Sequence, residues 1–371
     1  MPAKTPRYII FLLGIFAGIV VYSALNPGLA IRNSKTRREV ERLAEVMNNI
    51  EKYYVEDVDA QALTDGAIRG MLETLDPHTT YIPERHFREM AERFEGHFDG
   101  IGVEFIIQDD YPLVVSPIPD TPSDRLGLRA GDRIVEIENE STFEMSSDAV
   151  MSKLRGKRGS VVNIKVQRGQ NDDYLPFSIR RDKIALQSVL AAFMLNEKTG
   201  FIKLTHFAKT TEDEINNALA ELNKRGMRQL ILDLRGNTGG YLDQAVAVAN
   251  KFIPADRKIV YTRGRIREAN EEYCASDDPA KSDVPLIVLM SHGSASASEI
   301  VAGAIQDWDR GLIIGETSFG KGLVQNQLDL IDGAAVRITI ARYYTPSGRP
   351  IQRPYQMSRD AYYETAFEEH D

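Results

Sequence analysis

Two segments, Gln229–Leu234 and Val284–Met290, constrain this chain most, because each is a short and almost wholly apolar run. Such runs read as strands buried on both faces, the situation of a sheet covered by helices. Beyond Asp182 segments of this kind alternate with helical patterns, so the expected fold is α/β. After the first run, Arg235-Gly236-Asn237-Thr238-Gly239-Gly240 turns into a helix over Leu242–Phe252. Strand, glycine-rich loop and helix together aim loop amides and a helix N-terminus at one place, which suits an anion. No Gly-Lys-Ser/Thr follows the loop and no Gly-x-Gly-x-x-Gly is present, so an oxyanion or a peptide backbone fits it better than a nucleotide.

Composition removes several function classes. The 54 acidic residues against 45 basic ones, a formal charge of -9, argue against a nucleic-acid partner. Cys274 is the only cysteine, which excludes an internal disulfide and a Cys-rich zinc site. The six histidines show no metal-ligand spacing, so neither metal nor cofactor is expected. At the N-terminus, Lys4 and Arg7 precede an apolar run from Tyr8 to Leu25, about eighteen residues and near the lower limit for crossing a bilayer. Residues 1–30 therefore read as a signal sequence or membrane anchor. Gly28 and Ala30 favour cleavage, the length of the run favours retention, and basic residues on both sides leave the orientation open. Export to the periplasmic side of a bacterial inner membrane, anchored or secreted, is expected.

Val40, Leu43, Met47, Ile50 and Tyr54 recur at helical spacing, and Ala62, Ala67, Ile68, Met71, Leu72 and Leu75 form a second apolar face ended by Asp76-Pro77. Residues 31–95 form an N-terminal helical segment in this reading, with His78 and His86 as surface or turn histidines. From Gly100 to about Arg180 the texture becomes short strands: Gly100–Phe105, Leu113–Val115 and the alternating Ser160–Arg168, with a helix over Ser147–Leu154. That order, and above all Leu128-Arg129-Ala130-Gly131-Asp132-Arg133-Ile134, resembles a PDZ domain of the bacterial, circularly permuted kind. Such a module holds a terminal carboxylate on free backbone amides and takes the peptide as an added strand. Gly100, Ile101, Gly102 and Val103 would be that carboxylate loop.

Ser294-Ala295-Ser296-Ala297-Ser298-Glu299 opens an Ala-rich helix running to Trp308. Ser296 and Glu299 satisfy a Ser-x-x-Glu capping box, and any of the three serines could cap the helix. A serine at a helix start also lies near free N–H groups, so the amide of Ala297 could stabilise an oxyanion. Lys321 stands between Gly320 and Gly322, before the strand-like Leu323–Leu328. A neutral lysine is a competent base, but its pKa must fall from about 10.4 toward 7 through burial. Gln325, four residues on, could hold the amine without adding charge.

The segments Gly293–Ala304, Gly315–Gln325, Tyr343–Arg349, Asp76–Tyr81 and Asp233–Gly240, in this order around the PDZ-like region, resemble the carboxy-terminal processing protease family over residues 38 to 353. The resemblance implies a crotonase-like (ClpP-like) α/β protease core at 182–353, an inserted PDZ domain at 96–181 and a tail at 354–371. It implies Ser296 as nucleophile, Lys321 as general base and Gln325 as the residue orienting it. Ala297 and either Gly239 or Gly240 would form the oxyanion hole, and Asp307 matches an accessory acidic position. Implied partners are protein or peptide substrates bound through their C-termini and a membrane reached through the N-terminal segment. A homo-oligomer and a regulatory or adaptor protein are left open. The chain departs from the family after Gln352, where Arg353-Pro354-Tyr355-Gln356 leads into an acidic, tyrosine-bearing tail. Two other readings compete: a non-catalytic PDZ adaptor, disfavoured by the presence of both Ser296 and Lys321, and a Ser-His-Asp hydrolase using His206 or His292, disfavoured by the lack of a Gly-x-Ser-x-Gly elbow.

Overall fold

The computed structural model describes residues 34–169, 174–278, 280–355 and 359–364. The apolar run Tyr8–Leu25 lies outside the described residues. The chain separates into two units, divided after Thr74. The first contains the helices Ser34–Tyr53 and Ala60–Glu73, the latter opened by Asp59, whose carboxylate accepts the amides of Gln61 and Ala62. Their spacing makes them amphipathic, yet Val40, Leu43, Tyr54 and Met71 are exposed. Among the described residues, no helix is long and apolar enough to cross a membrane.

In the second unit, the two apolar runs form neighbouring strands of one sheet. Its spatial order is Val189–Met194, Thr199–Leu204, Gln229–Asp233, Leu286–Met290 and Leu312–Gly315, antiparallel at the first pairing and parallel at the other three. Leu230 faces Leu286 and Asp233 faces Leu289, so the loops that follow both strands leave from the same edge. That edge is where open α/β sheets bind their ligands. The helices Thr211–Lys224, Leu242–Asn250 and Ala297–Asp307 bury Ile215, Leu219, Val248, Ile300 and Val301 in the same core as Ile202, Leu232 and Val288. Residues 297–305 are all buried, and Ala297, Ala302, Gly303 and Ala304 are small enough to permit this. A second sheet, ordered Thr80–Ile82, Ala335–Tyr344, Lys258–Gly264 and Glu272–Cys274, also pairs Leu323–Asp329 with Ala335–Tyr344. This pairing holds the segment after Lys321 beside the turn at residues 76–79.

The PDZ-like module is a sheet of Val103–Gln108, Tyr111–Pro117, Arg133–Ile137, Val161–Gln167 and Tyr174–Arg180, with a short Glu140–Ser141 strand and the helices Pro122–Arg125 and Ser147–Leu154. The expected single strand Gly100–Phe105 is two strands, because Gly102 at φ +79 turns a corner between them. The chain enters through His97–Gly100 and leaves through Asp182–Ala185, and these two strands pair antiparallel as a stalk. The module has its own core, with Ile134, Ile137, Val162, Ile164 and Val166 essentially inaccessible. Buried Asp132 ties its ends together, accepting Nε and Nη2 of Arg168, each at 2.7 Å, and the Arg129 amide at 2.8 Å. The arginine end of this pair is partly exposed, so losing the pair costs the charge-assisted hydrogen bonds rather than leaving a buried unpaired charge. Asp132→Ala should therefore lower unfolding stability by about 1.5 kcal/mol in denaturant titrations, whereas a loss under about 0.5 kcal/mol would mean the pair is dispensable.

Candidate active site

Ser296 stands at the N-cap of the Ala297–Asp307 helix with φ 56° and ψ -111°. A left-handed φ is unusual for a residue with a side chain, and such strain persists only where surroundings enforce it. The enforcement comes from its neighbours. The Ser294 hydroxyl donates to Leu234 O at 2.8 Å, the Ser298 hydroxyl to Asn237 O at 2.8 Å, and the Ala295 amide to the same Asn237 carbonyl at 3.0 Å. These bonds sew the turn to the loop after the neighbouring strand. Ser294 and Ser298 are fully buried and committed to the fold, which leaves Ser296 as the serine of the three that lines a cavity. Ser296 and Glu299 form a capping box, whose short half is Glu299 accepting the Ser296 amide at 2.7 Å.

The glycine loop meets this turn at close quarters. A Cβ on Gly239, at φ +100, would lie 2.9 Å from Ser296 Cβ and 3.0 Å from the Ala297 nitrogen. The Gly239 amide donates to Asn237 Oδ1 at 2.9 Å. Among the described residues no acceptor takes the amides of Ala297 and Gly240. The geometry therefore separates the two glycines that the sequence left open: Gly239 supplies clearance, and Gly240 keeps its N–H uncommitted.

Glu299 joins the serine turn to the lysine loop. Its Oε2 accepts the amides of Ser296 at 2.7 Å and Lys321 at 2.9 Å, while Oε1 accepts the Ser318 hydroxyl at 2.7 Å and the Gly320 amide at 2.6 Å. Burial pushes the pKa of this carboxyl up, and the four donors pull against that rise. Its place in the first turn of a helix also favours negative charge. Lys321 is half-buried and its pKa is pushed down to about 8, chiefly by burial and then by the Arg337 guanidinium, with Glu299 and Asp76 acting in the opposite sense. Desolvation is thus the main agent, as the sequence reading requires of a lysine base.

Ser296, Lys321, Gln325, Gly239 and Gly240 line one cavity of about 680 Å³. Gln325 donates Nε2 to the His78 carbonyl at 2.5 Å, so its side-chain position is set by the 76–79 turn. Asp76 builds that turn by accepting the amides of His78 and Thr79 and the hydroxyls of Thr79 and Thr339. His78 is buried rather than superficial, because its ring packs against Phe319, Tyr362 and Tyr363 and its Nε2 meets the Tyr362 hydroxyl at 2.9 Å. The side chain of His86 lies outside the described residues.

Asp307 lies one helix length from Ser296 and does not line the cavity. It accepts the Ser347 amide at 2.9 Å and pairs with Arg349. Burial would raise its pKa, but hydrogen bonds from Thr345, Ser347 and Arg349 hold it below the usual carboxylate range. Its visible work is to fix the Thr345–Arg349 turn. His206 and His292 line no part of the Ser296 cavity; His206 meets Thr205 Oγ1 at 3.0 Å and His292 faces Glu316. In the PDZ-like module, Ile101, Gly102 and Val103 line a groove of about 290 Å³ whose other wall includes Ser147, Met151 and Leu154 of the helix. Val103–Gln108 is an edge strand there, while Gly100 pairs with Asp182 in the stalk. A larger cleft of about 750 Å³, which Glu92, Asp99, Asp148 and Arg155 line, holds none of the candidate catalytic groups.

Fold and site together define a serine-type peptidase that carries a PDZ domain. Peptidase family S41 matches residues 198–360, a PDZ domain residues 113–168, and the activating protease CtpB N-terminal domain residues 24–85. The carboxy-terminal-processing protease of Bartonella bacilliformis is 34% identical over 93% of this chain and 80% of its own. The carboxy-terminal processing protease CtpB of Bacillus subtilis is 32% identical over 91% and 73%. Among solved structures, a photosystem II D1 C-terminal processing protease is 30% identical, covers 83% of this chain and 89% of its own, and gives a TM-score of 0.46. The chain belongs to the PDZ-containing carboxy-terminal processing proteases of family S41, and it is a serine-type peptidase.

Two substitutions test the geometry. Glu299→Gln turns an amino group toward amides that need an acceptor, so it should lose about 2 kcal/mol of stability and at least about tenfold in kcat/KM, measured by denaturation and peptide cleavage; wild-type values in both would show that Glu299 only caps the helix. Gly239→Ala forces a Cβ against Ser296, and activity should fall about a hundredfold with circular dichroism unchanged.

Proposed function

We propose that this protein is a serine endopeptidase with a Ser296–Lys321 dyad that cleaves exported proteins at or near their C-termini. The observation carrying the dyad is the shared cavity, in which Ser296 is the one of the three serines that lines the wall and Lys321 has a pKa pushed down to about 8. Ser296 Oγ attacks the scissile carbonyl carbon while the neutral Lys321 amine takes the hydroxyl proton. The tetrahedral oxyanion rests on the amides of Ala297 and Gly240, charge that backbone dipoles meet without reorganising. Lys321 then protonates the leaving amine, the C–N bond breaks, and an ester to Ser296 remains. A water deprotonated by Lys321 attacks the ester, releasing the acid and restoring the serine. Gln325, fixed from His78 and lining the same cavity, would orient the amine through its amide oxygen.

The PDZ groove is the receptor for the substrate's terminus in this proposal. Ile101, Gly102 and Val103 would receive the carboxylate and the Val103–Gln108 edge the added strand. Gly100 belongs to the stalk and would only anchor the loop. The placement of this module between the paired strands His97–Gly100 and Asp182–Ala185 supports an inserted PDZ domain, and its circular permutation and a crotonase-like core belong to the same proposal. The Tyr8–Leu25 run supports export with anchoring or secretion on the periplasmic side. Asp307 would act indirectly, through the turn it holds. A non-catalytic adaptor is not favoured, because nothing in an adaptor calls for a desolvated lysine beside a strained serine.

Ser296→Ala and Lys321→Ala should each reduce cleavage of a denatured model protein by at least about a thousandfold; retained turnover in Lys321→Ala would remove the dyad. Protonated Lys321 cannot accept a proton, so wild-type kcat/KM should rise with pH through a midpoint near 8, where the folded lysine titrates. A rate already at its plateau at pH 6 would contradict that assignment.

A further inference from the structure

The catalytic cavity holds a second cationic group, which carries no proton in the proteolytic steps and bears on them only by helping to lower the Lys321 pKa. Arg337 lies on the Ala335–Tyr344 strand, opposite Gln327 and one same-face pair along from Gln325 and Thr339. Two residues along a strand span about 7 Å, so Arg337 is near the dyad without belonging to it. It lines the same cavity as Ser296 and Lys321. Its guanidinium packs against Met90 Sδ and donates to Gln327 Oε1 at 3.3 Å, both neutral partners. Among the described residues no carboxylate pairs with it, whereas Arg155, Arg168, Arg235 and Arg349 pair with Glu92, Asp132, Asp233 and Asp307.

A guanidinium does not escape burial by losing its proton. Half-buried with most of its donors uncommitted, it is unfavourable until an anion reaches it. The rest of the cavity has the same sign: Arg93 and Lys321 line it too, against Asp243 as its one carboxylate among the described residues. In a chain of net charge -9, this local excess of positive charge is a property of the cleft, not of the protein.

We propose that Arg337 is the carboxylate-binding residue of the catalytic cleft, selecting substrates whose segment in the cavity carries a carboxylate. This rests on the protease reading and deepens it. An acidic side chain is the expected source, since the PDZ groove competes for the terminal carboxylate; a free terminus offers the same chemistry. The pairing is a charge-assisted, two-donor contact that lysine would make less well.

The test uses the full-length protein and peptides blocked at both ends, with a single Glu walked through the sequence and a Gln counterpart at each position. A third series keeps Gln and frees the C-terminal carboxylate. Two readouts are taken: kcat/KM, and binding to Ser296→Ala by fluorescence anisotropy, which needs no turnover. At the best position, Glu should exceed Gln by about tenfold in both, the size of one charge-assisted contact. That ratio should fall close to one in Arg337→Gln and survive in part in Arg337→Lys, which also serves if the glutamine variant folds poorly. An Arg337-dependent gain in the free-terminus series alone supports the site with the terminus as its ligand. A ratio near one at every position in all series overturns the proposal. So does an Arg337→Gln variant that keeps the ratio and only moves the rising limb of the pH profile upward, which would make Arg337 an electrostatic neighbour of Lys321 and nothing more. Should no peptide be cleaved, the binding ratios still decide the matter, so failure of the protease reading and failure of this one remain distinct.

Discussion

The buried Glu299 carboxylate is the interaction on which the rest of the site depends. One side chain accepts the amide of the nucleophile candidate, the amide of the base candidate and two further donors from the loop between the strands Leu312–Gly315 and Leu323–Asp329. Ser296 caps a helix and Lys321 sits in the loop that passes from one sheet to the other, so without this junction the helix's first turn and a glycine-flanked loop would have little reason to hold a fixed separation. The helix dipole and the four donors favour the carboxylate, while burial opposes it. The balance makes the junction a strong constraint: a neutral substitute of equal size cannot satisfy the same donors.

Around that junction the chain spends its rigidity unevenly. Asn237, Leu234 and the buried Ser294 and Ser298 fix the serine turn from the core side. Asp76 and the aromatic cluster of His78, Phe319, Tyr362 and Tyr363 fix Gln325 from the other side. The PDZ domain, by contrast, joins through a two-stranded stalk and contacts such as Arg155 with Glu92. The proposed catalytic groups are thus held by a dense polar network, while the PDZ domain is a module with its own core.

Much of this was legible in the amino acids because it is local. Leu230–Leu232 and Leu286–Met290 announce buried strands, the Ser-x-x-Glu spacing announces a helix start, and the glycines at 239 and 240 announce close backbone approach. The reading failed where the deciding partner is distant in sequence. His78 is buried only because residues 319 and 362–363 cover it. Gln325 takes its position from a carbonyl 247 residues away, and the neutral setting of Arg337 follows from the register of two strands. The capping box was visible, but not the reach of Glu299 to Gly320 and Lys321. The N-terminal helices show the converse: their periodicity is real, yet Val40, Leu43, Met71 and others of their apolar residues stay exposed and none is fully buried, since periodicity specifies a face and not what covers it.

The central claim is that the fold lowers the pKa of Lys321 to about 8, so that a substantial fraction is neutral near physiological pH, in the cavity that Ser296 also lines. The most direct measurement is an NMR titration of the lysine side chains in the Ser296→Ala protein, with the Lys321 signal assigned by its loss in Lys321→Met. The account predicts a midpoint near 8 for that one resonance, well below the ordinary lysine value of about 10.4. A Lys321 midpoint indistinguishable from the surface lysines would contradict it.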